Sequence, residues 1–229
     1  MGCNIAIDGP AGAGKSTIAK KVAKELSFIY VDTGAMYRAM ALYLLRRKVN
    51  RDDTEQIGNI CQDAEISIEY KNGEQIVLLN GENVNSYLRT EEVGNMASVS
   101  SAVPRVREKL LSLQRKLAKD MSVVMDGRDI GTTILPDADV KIYLTASSLT
   151  RAKRRYLELQ EKGTVCDLDN IQKDIEERDQ RDMNREISPL RQAKDAVLVD
   201  SSNLTIQQVV DRILQIFRSK TTGEDSHES

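Results

Sequence analysis

The chain has 229 residues, of which 40% are hydrophobic and 30% charged, and its formal net charge is -2. This length suits one large domain or one core with a small insert, and the near-neutral charge argues against a dedicated nucleic-acid binder, which usually carries a basic excess. No run of about 18 apolar residues occurs, and the N-terminus lacks a charged-then-apolar layout, so we expect neither a membrane span nor a signal peptide.

Two scarce residue types narrow the chemistry. Cys3, Cys61 and Cys166 lie far apart with no C-x-x-C pair, which indicates reduced thiols in a cytoplasmic protein. The single histidine, His227, lies in a polar C-terminal segment, residues 219–229, that we expect to be disordered. Histidine acid–base catalysis and histidine metal sites are therefore excluded.

The N-terminal region has the layout of a strand, a glycine-rich loop and a helix. Residues 3–8 are mostly apolar and predict a buried strand, and residues 18–26 carry apolar side chains at helical spacing. Between them the segment GPAGAGKST matches G-x-x-x-x-G-K-[ST]. The small side chains of this loop let backbone N–H groups approach phosphates closely, and the helix that begins near Lys15 directs its positive end at them. The sequence therefore predicts a nucleotide site.

The roles of the polar residues in this loop follow from the motif. We expect Lys15 to reach the β and γ phosphates and the Ser16 hydroxyl to lie on Mg²⁺. The loop residues predicted to bind ATP are Gly9, Pro10, Ala11, Gly12, Ala13, Gly14, Lys15, Ser16 and Thr17.

A second strand, residues 27–32, leads into a helix for which Asp32 or Thr33 is a suitable N-cap. Capping together with a surface arginine, Arg38, would account for this segment. Ligands of α/β proteins, however, gather where a strand leads into a helix, so we favour a role in substrate binding.

The pattern changes between about residues 49 and 90. Residues 66–70 and 75–79 alternate in polarity on either side of Asn72-Gly73, and a second Asn-Gly pair follows at residues 80–81. Asn-Gly between such segments is a strong hairpin signal. We therefore predict a small antiparallel insert, which is either a structural decoration or a mobile lobe that covers a substrate.

The middle of the chain returns to alternating helices and strands. Thr90 is a plausible cap for one helix, and another runs from just after Pro104 to about residue 119. The strand at 122–126 ends in Asp126, a feature that is common in parallel sheets and weak by itself. The polar loop predicted at 127–132 is more informative, because Arg128 and Asp129 lie between glycines where ligands gather.

The last third contains a strand at 140–144, a helix at 148–162 and a second, highly charged helix around residues 177–185. Dense alternating charge is usually a solvated helix face. The spacing of Arg178, Arg181, Asp182 and Arg185 places them on one side, so we favour a clamp for a transferring phosphoryl group. A strand at 196–200 and a helix at 205–218 complete five strands that alternate with helices, which predicts a parallel, doubly wound α/β sheet.

The segments IDGPAGAGKST, YVDTGAMYR, PRVRE, DGRDIGT, KIYL and ERDQRDMNR, in this order and spacing, resemble the bacterial cytidylate kinases, a family of P-loop nucleoside monophosphate kinases. The resemblance extends to about Arg218. It implies a single P-loop kinase domain over residues 1–218 with a five-stranded parallel sheet wound with helices. The insert at about 49–90 would be the NMP-binding lobe, and residues of about 151–186 an arginine-rich helical lid.

The resemblance also implies an activity, the transfer of a phosphoryl group from ATP to CMP or dCMP with Mg²⁺. Such a reaction needs positioning and charge neutralisation and no general base, because the acceptor phosphate is already ionised. The implied catalytic residues are Lys15, Arg178 and Arg181, with Arg154 or Arg155 closing over the transition state, and the resemblance also implies that Arg154 binds ATP. The residues implied to contact CMP are Thr33, Arg38, Ser98, Arg107, Arg128, Asp129, Arg178, Asp182 and Arg185.

Within that set the resemblance implies that Ser98, Arg107 and Asp129 read cytosine. A carboxylate and a guanidinium match the amino donor and ring acceptors of cytosine, whereas uracil would leave buried polar groups unpaired, so we expect UMP to be a poor substrate.

Two other functions compete with this one. The chain could be a P-loop kinase of another nucleoside monophosphate or of a small metabolite. A GTPase-like switch is disfavoured, since the chain lacks an N-K-x-D motif and an arginine-rich lid would be unexplained. We expect a cytoplasmic monomer whose partners are its nucleotides, with no nucleic-acid or membrane partner.

Overall fold

A computed structural model describes residues 2–71 and 73–222 of the chain. The strands are β1 (Asn4–Asp8), β2 (Ile29–Asp32), β3 (Ile66–Lys71), β4 (Glu74–Leu79), β5 (Glu82–Asn83), β6 (Val123–Gly127), β7 (Val140–Thr145) and β8 (Val197–Asp200). The α-helices are α1 (Lys15–Leu26), α2 (Thr33–Arg46), α3 (Thr54–Ile60), α4 (Glu91–Ser100), α5 (Pro104–Asp120), α6 (Ser148–Glu161), α7 (Leu168–Met183) and α8 (Ile206–Thr222). None of the described helices is long and apolar enough to cross a membrane.

The strands form two sheets. The larger has five strands in the order β2-β6-β1-β7-β8, and the smaller has the order β3-β4-β5. In the larger sheet β1 pairs in parallel with β7, and β7 in parallel with β8. The predicted five-stranded parallel sheet with helices and a small antiparallel sheet is therefore confirmed.

The chain separates into two compact units. One contains Cys3–Phe28 together with the chain from Val124 onward. Its strands are apolar runs such as Ile5–Ile7 and Val124–Met125, which are fully buried, as expected of parallel strands covered on both faces. Helix α1 packs on α8, and Phe28 meets Phe217 edge to face with ring centroids 5.8 Å apart. This unit contains the glycine-rich loop.

The other compact unit contains Gly2 and Ile29–Val123. Its core includes the buried face of α2, where Met36, Met40 and Leu44 have no exposed surface. The hairpin β3–β4 forms as predicted, and the turn to β5 has positive φ at both Asn80 and Gly81, as the second Asn-Gly pair requires.

The unit holding the hairpin extends well beyond residues 49–90, and it contains α3, a helix that was not predicted from the sequence. This helix has only seven residues, too few for a clear apolar periodicity or for stability in isolation. It is held by its cap, the Asp53 side chain accepting the Gln56 N–H, and by the buried Ile57.

Three local predictions are corrected by the structure. The polar loop predicted at 127–132 leads into a π-helical turn, Ile130–Ile134, whose isoleucines are buried. Helix α7 ends at Met183 with Asn184 as its C-cap, so Arg185 lies beyond the helix. Helix α8 continues to Thr222, past the disorder boundary predicted after residue 218. The rest of the predicted tail, including His227, lies outside the described residues.

Candidate active site

The glycine-rich loop is shaped by backbone positions that only glycine fills well. A Cβ on Gly9 would lie 1.9 Å from the Leu144 carbonyl oxygen, and Gly14, the N-cap of α1, has a φ of +88°. Gly14 supplies no capping side chain, and the first turn of α1 has no acidic residue. The N–H groups and the positive end of α1 are therefore left for an anion, as the motif predicts.

Lys15 lies inside this loop, with 6% of its surface exposed. Its Nζ donates to the Pro10 carbonyl oxygen at 2.8 Å. Burial lowers the pKa of Lys15 well below its ordinary value, and Arg128 acts in the same direction, while Asp126, Asp8 and Asp182 oppose them. A partly desolvated ammonium interacts more strongly with a phosphate than one in water.

Ser16 and Asp126 form a pair of oxygen ligands. The Ser16 hydroxyl donates to Asp126 Oδ2 at 2.8 Å, and the Asp126 side chain is buried at the end of β6. Mg²⁺ takes one or two protein oxygens and completes its octahedron with substrate phosphates and water, so this pair fits Mg²⁺. Among the described residues no group of three or more acidic, cysteine or histidine side chains is placed to hold a metal ion. The sequence signal for Asp126 was its place at the end of a buried strand.

Asp8 is a second buried carboxylate, and no motif in the sequence points to a role for it. Its oxygens accept the backbone N–H groups of Ile130 (2.7 Å) and Gly131 (2.8 Å). Burial raises the pKa of Asp8 to about 6, Asp129 adds to the rise, and the two N–H groups and Lys15 oppose it. These two hydrogen bonds also explain why a turn forms where a polar loop was predicted.

Three of the residues implied by the resemblance meet around Asp182. Arg128 Nε donates to Asp182 Oδ2 at 3.0 Å, and Arg185 Nη2 donates to Oδ1 at 2.8 Å. Burial alone would raise the pKa of Asp182, but Arg128, Arg185 and Arg178 outweigh it and hold the pKa below its ordinary value. The Asp182 cluster, which consists of Asp182, Arg128, Arg178 and Arg185, thus combines one buried carboxylate with three guanidinium groups. This excess of positive charge at the end of α7 suits phosphate.

Two arginines considered for the same clamp stand apart from the Asp182 cluster. Arg181 is exposed, and its Nε donates to the Glu177 carbonyl oxygen at 3.4 Å. Arg155 is exposed and pairs with Glu158 at 2.9 Å. The spacing placed Arg181 on the correct helix but did not show that its side chain faces solvent.

Arg151 joins the glycine-rich loop to α7, a role that no sequence pattern predicted. Its Nη1 donates to the Ala11 carbonyl oxygen at 2.9 Å, its Nε to the Ala146 carbonyl oxygen at 3.0 Å, and both terminal nitrogens bind the Asp179 carboxylate. Only 4% of Arg151 is exposed. The pairing of Asp179 could not be predicted from the sequence, because Asp179 lies within a run of alternating charge that resembles a solvated helix face.

A cavity of about 330 Å³ lies beside the start of α1. It is lined by Gly14 and Thr17, by Arg154, and by Leu204 and Ile206 from the segment after β8. Arg154 Nη2 donates to the Ser201 carbonyl oxygen at 2.8 Å. Arg154 and Thr17 were predicted to bind ATP, whereas no motif pointed to the segment after β8.

The start of α2, in the Ile29–Val123 unit, contains two further predicted site residues. Asp32 caps the helix by accepting the Ala35 N–H, and Thr33 is buried in the first turn. A Cβ added to Gly34 would lie 3.2 Å from Arg38 Nη1. The Arg38 guanidinium therefore folds back over the first turn of the helix. A helix N-terminus with a guanidinium above it favours an anion.

Arg107 and Ser98 lie in the same unit. The Arg107 guanidinium stacks 5.7 Å from the centre of the Tyr37 ring, and Nη1 donates to the Ser101 carbonyl oxygen at 3.2 Å. Ser98 lies in the last turn of α4, where its carbonyl oxygen accepts the Ser101 hydroxyl. Ring and carbonyl hold Arg107 in one orientation, as a residue that reads a base requires.

Comparisons with known proteins cover nearly the whole chain. A family model described as cytidylate kinase matches residues 5–219. A cytidylate kinase from Caldicellulosiruptor saccharolyticus is 50% identical over 93% of this chain and 95% of its own, and one from Lactobacillus johnsonii is 50% identical over 94% of each chain.

A solved structure, that of an uncharacterized protein from Eubacterium ventriosum, covers 95% of this chain and 99% of its own with a TM-score of 0.53 and 14% identity. This likeness concerns the fold alone. The family model and the relatives match the chain from β1 through most of α8, so the chain belongs to the cytidylate kinase family.

Proposed function

We propose that this chain transfers the γ-phosphoryl group of ATP to CMP or dCMP, giving ADP and CDP or dCDP. The observation that carries the proposal is the arrangement around the glycine-rich loop: the buried Lys15 ammonium and the Ser16–Asp126 pair lie in one compact unit with the Asp182 cluster. Membership of the cytidylate kinase family supplies the expected acceptor.

ATP would bind with its phosphates on the glycine-rich loop and its nucleoside in the 330 Å³ cavity. Lys15 would hold the β and γ phosphates, and Ser16 and Asp126 would hold Mg²⁺, which neutralises charge on the phosphate oxygens. Arg154, anchored on the Ser201 carbonyl oxygen, would lie along one wall of the nucleoside site.

The acceptor nucleotide would contact the Asp182 cluster. We assign Arg128 to its phosphate, Arg178, Asp182 and Arg185 to the ribose and phosphate, and Asp129 to the base. Because the acceptor oxygen is already ionised, these residues act by positioning and charge balance. Arg178 and Arg181 would stabilise the transferring group, Arg181 after leaving its contact with Glu177.

In the Ile29–Val123 unit we assign Thr33 and Arg38 to the acceptor phosphate and Ser98 and Arg107 to cytosine. The folded-back guanidinium of Arg38 at the start of α2 supports the first assignment. The fixed orientation of Arg107 over Tyr37 supports the second, since a base is read only by donors that are held in place. We further propose that the enzyme is a cytoplasmic monomer.

The test is a coupled assay of ADP release with ATP, Mg²⁺ and equal concentrations of CMP, dCMP, UMP or AMP. We expect fast turnover on CMP and dCMP, slow turnover on UMP, and loss of activity when EDTA removes Mg²⁺. No turnover on CMP would overturn the function. Equal turnover on CMP and UMP would retain the kinase and remove the base-reading role of Ser98, Arg107 and Asp129.

A further inference from the structure

Asp8 links β1 to the turn that follows β6. It is the last residue of β1, directly before Gly9, and only 4% of it is exposed. Its Oδ1 accepts the Ile130 N–H at 2.7 Å and its Oδ2 the Gly131 N–H at 2.8 Å. Two oxygens on consecutive N–H groups fix both the place and the rotation of that backbone.

The backbone held in this way bears residues assigned above to the acceptor. Arg128 and Asp129 immediately precede Ile130, and Arg128 reaches Asp182 at 3.0 Å. The Asp129 carbonyl oxygen accepts the Thr133 and Ile134 N–H groups. The segment is therefore held on both sides of Asp129, by β6 before it and by the Asp8 carboxylate after it.

Gly131 is part of the same arrangement. A Cβ at this position would lie 3.1 Å from Lys141 Cδ and 3.4 Å from Asp8 Oδ2. The absence of a side chain lets the carboxylate and the Lys141 chain approach the backbone from β1 and β7. Gly131 therefore offers an independent way to disturb the contact while the carboxylate stays in place.

Asp8 does more than fill space at the end of a strand. A buried carboxylate is costly. The groups that offset burial at Asp8 are two backbone N–H groups and Lys15, whereas at Asp182 they are arginines. An amide or a small polar residue would avoid that cost. Ionised groups kept in costly surroundings are typical of functional sites.

We infer that Asp8 is a positioning residue for the acceptor nucleotide: by holding the Ile130 and Gly131 N–H groups, it sets the backbone that presents Arg128 and Asp129. The inference rests on the proposed function. Although Asp8 adjoins the glycine-rich loop, we expect it to affect the binding of CMP rather than the binding of ATP.

The experiment compares KM for CMP and KM for ATP in the unaltered enzyme and in Asp8→Asn. The amide keeps the size of the side chain and one acceptor, but its NH₂ group faces the second N–H. We expect KM for CMP to rise about tenfold or more, as for one lost hydrogen bond of a buried group. KM for ATP should change by less than about threefold, and the preference for CMP over UMP should fall.

Asp139→Asn is the matched control. The Asp139 carboxylate also accepts a backbone N–H of β1, that of Asn4 at 2.7 Å, at the opposite end of the strand. Neither KM should change. Gly131→Ala is the second test, because its Cβ would crowd the carboxylate and should also raise KM for CMP selectively. If Asp8→Asn does not fold, the KM values of Gly131→Ala test the inference instead.

Each result supports or overturns the inference. A selective rise in KM for CMP in Asp8→Asn or Gly131→Ala supports it. Equal rises for both substrates, a rise for ATP alone, or no change would overturn it while leaving the kinase intact. An unaltered enzyme that does not phosphorylate CMP would overturn the proposed function and, with it, the role assigned to Asp8.

Discussion

At the scale of single residues, the partner of a buried charge decides what that charge can do. Asp8 and Asp182 are both almost inaccessible to solvent. Arg128 and Arg185 hold the pKa of Asp182 below its ordinary value against the effect of burial. At Asp8 the backbone N–H groups and Lys15 do not outweigh burial, which raises its pKa to about 6. The surroundings of Asp182 thus stabilise its ionised form, whereas those of Asp8 disfavour ionisation.

Lys15→Ala should lower turnover by about 100-fold or more, because the phosphates would lose the charge that stabilises the transition state. The measurement is kcat in the ADP-release assay. Lys21→Ala, an exposed lysine of the same helix, is the control and should keep normal activity. Near-normal turnover of Lys15→Ala would remove the role given to this lysine.

Asp8 should also make stability depend on pH. Its pKa is raised from 3.8 to about 6 in the folded protein, so between about pH 4 and pH 6 the folded state binds more protons than the unfolded chain. Its contribution to stability is therefore present below about pH 4 and is lost as the pH rises past 6, a change of about 3 kcal/mol.

Urea unfolding of the unaltered protein and of Asp8→Asn measures this contribution. The free energy of unfolding of the unaltered protein, minus that of the variant, should fall by up to about 3 kcal/mol between pH 4 and pH 7. Other carboxyl groups titrate in both proteins and cancel in the difference. A difference that stays constant with pH would show that Asp8 has an ordinary pKa.

At the scale of elements, the placement of α7 decides where the arginines that we propose to bind phosphate lie. The helix carries Arg178 and Asp182 near its end, and Asp179 between them binds Arg151. Arg151 in turn binds the Ala11 carbonyl oxygen of the glycine-rich loop. A second contact joins the start of α6 to the middle of α7, the Ser148 hydroxyl donating to Glu176 at 2.7 Å. The buried Arg151–Asp179 ion pair therefore links the loop to α7, and the Ser148 contact adds a hydrogen bond between α6 and α7.

Breaking the buried pair from one side should be costly. Asp179→Leu leaves the Arg151 charge uncompensated, and we expect the free energy of unfolding to fall by about 3–5 kcal/mol. The double variant Arg151→Met with Asp179→Leu should recover much of that loss, since two apolar side chains replace both charges. Both variants should lose kcat, because α7 no longer has its bond to the loop.

The control for that pair is an exposed one on α6. Glu158→Gln disrupts the contacts of Glu158 with Arg155 and Lys162, and it should change the free energy of unfolding by less than about 1 kcal/mol. Denaturant unfolding and kcat are measured for Asp179→Leu, for the double variant and for Glu158→Gln on the same samples. A double variant no more stable than Asp179→Leu would contradict the account of the pair.

At the scale of the whole molecule, the chain consists of two compact units, and the proposed ATP contacts all lie in one of them. The glycine-rich loop, Arg154 and the segment after β8 belong to the unit that contains Cys3–Phe28 and the chain from Val124 onward. A ligand that binds only the folded protein raises its stability by mass action. ATP binding should therefore be visible in the thermal unfolding of the whole protein.

ATP with Mg²⁺ at about 100 times its Kd should add about 2.7 kcal/mol of stability and raise Tm measurably, and CMP should do the same at its own site. In Lys15→Ala we expect the shift caused by ATP to shrink and the shift caused by CMP to remain, since Lys15 is assigned to ATP alone. Calorimetric scans of both proteins with each nucleotide test this. Loss of the CMP shift as well would mean that Lys15 acts on both substrates or on the fold.

The sequence by itself determined the features that depend on near neighbours. The glycine-rich loop, the caps at Asp32 and Thr90 and the Asn80-Gly81 turn each rest on residues within a few positions of one another, where geometry and side-chain type suffice. The alternation of strands and helices likewise predicted the parallel sheet. Residue spacing also predicted that Asp182 and Arg185 lie close together.

The tertiary structure alone decided which distant residues meet. Ser16 and Asp126 are 110 positions apart, and Asp8 and Gly131 are 123 apart. These contacts depend on the order of strands in the sheet and on the path of the chain between them, and no local pattern encodes either. Packing likewise decided that Arg181 is exposed and Arg151 is buried. In the sequence both are arginines within predicted helices, and only the packing of α6 against α7 determines which of them faces the loop.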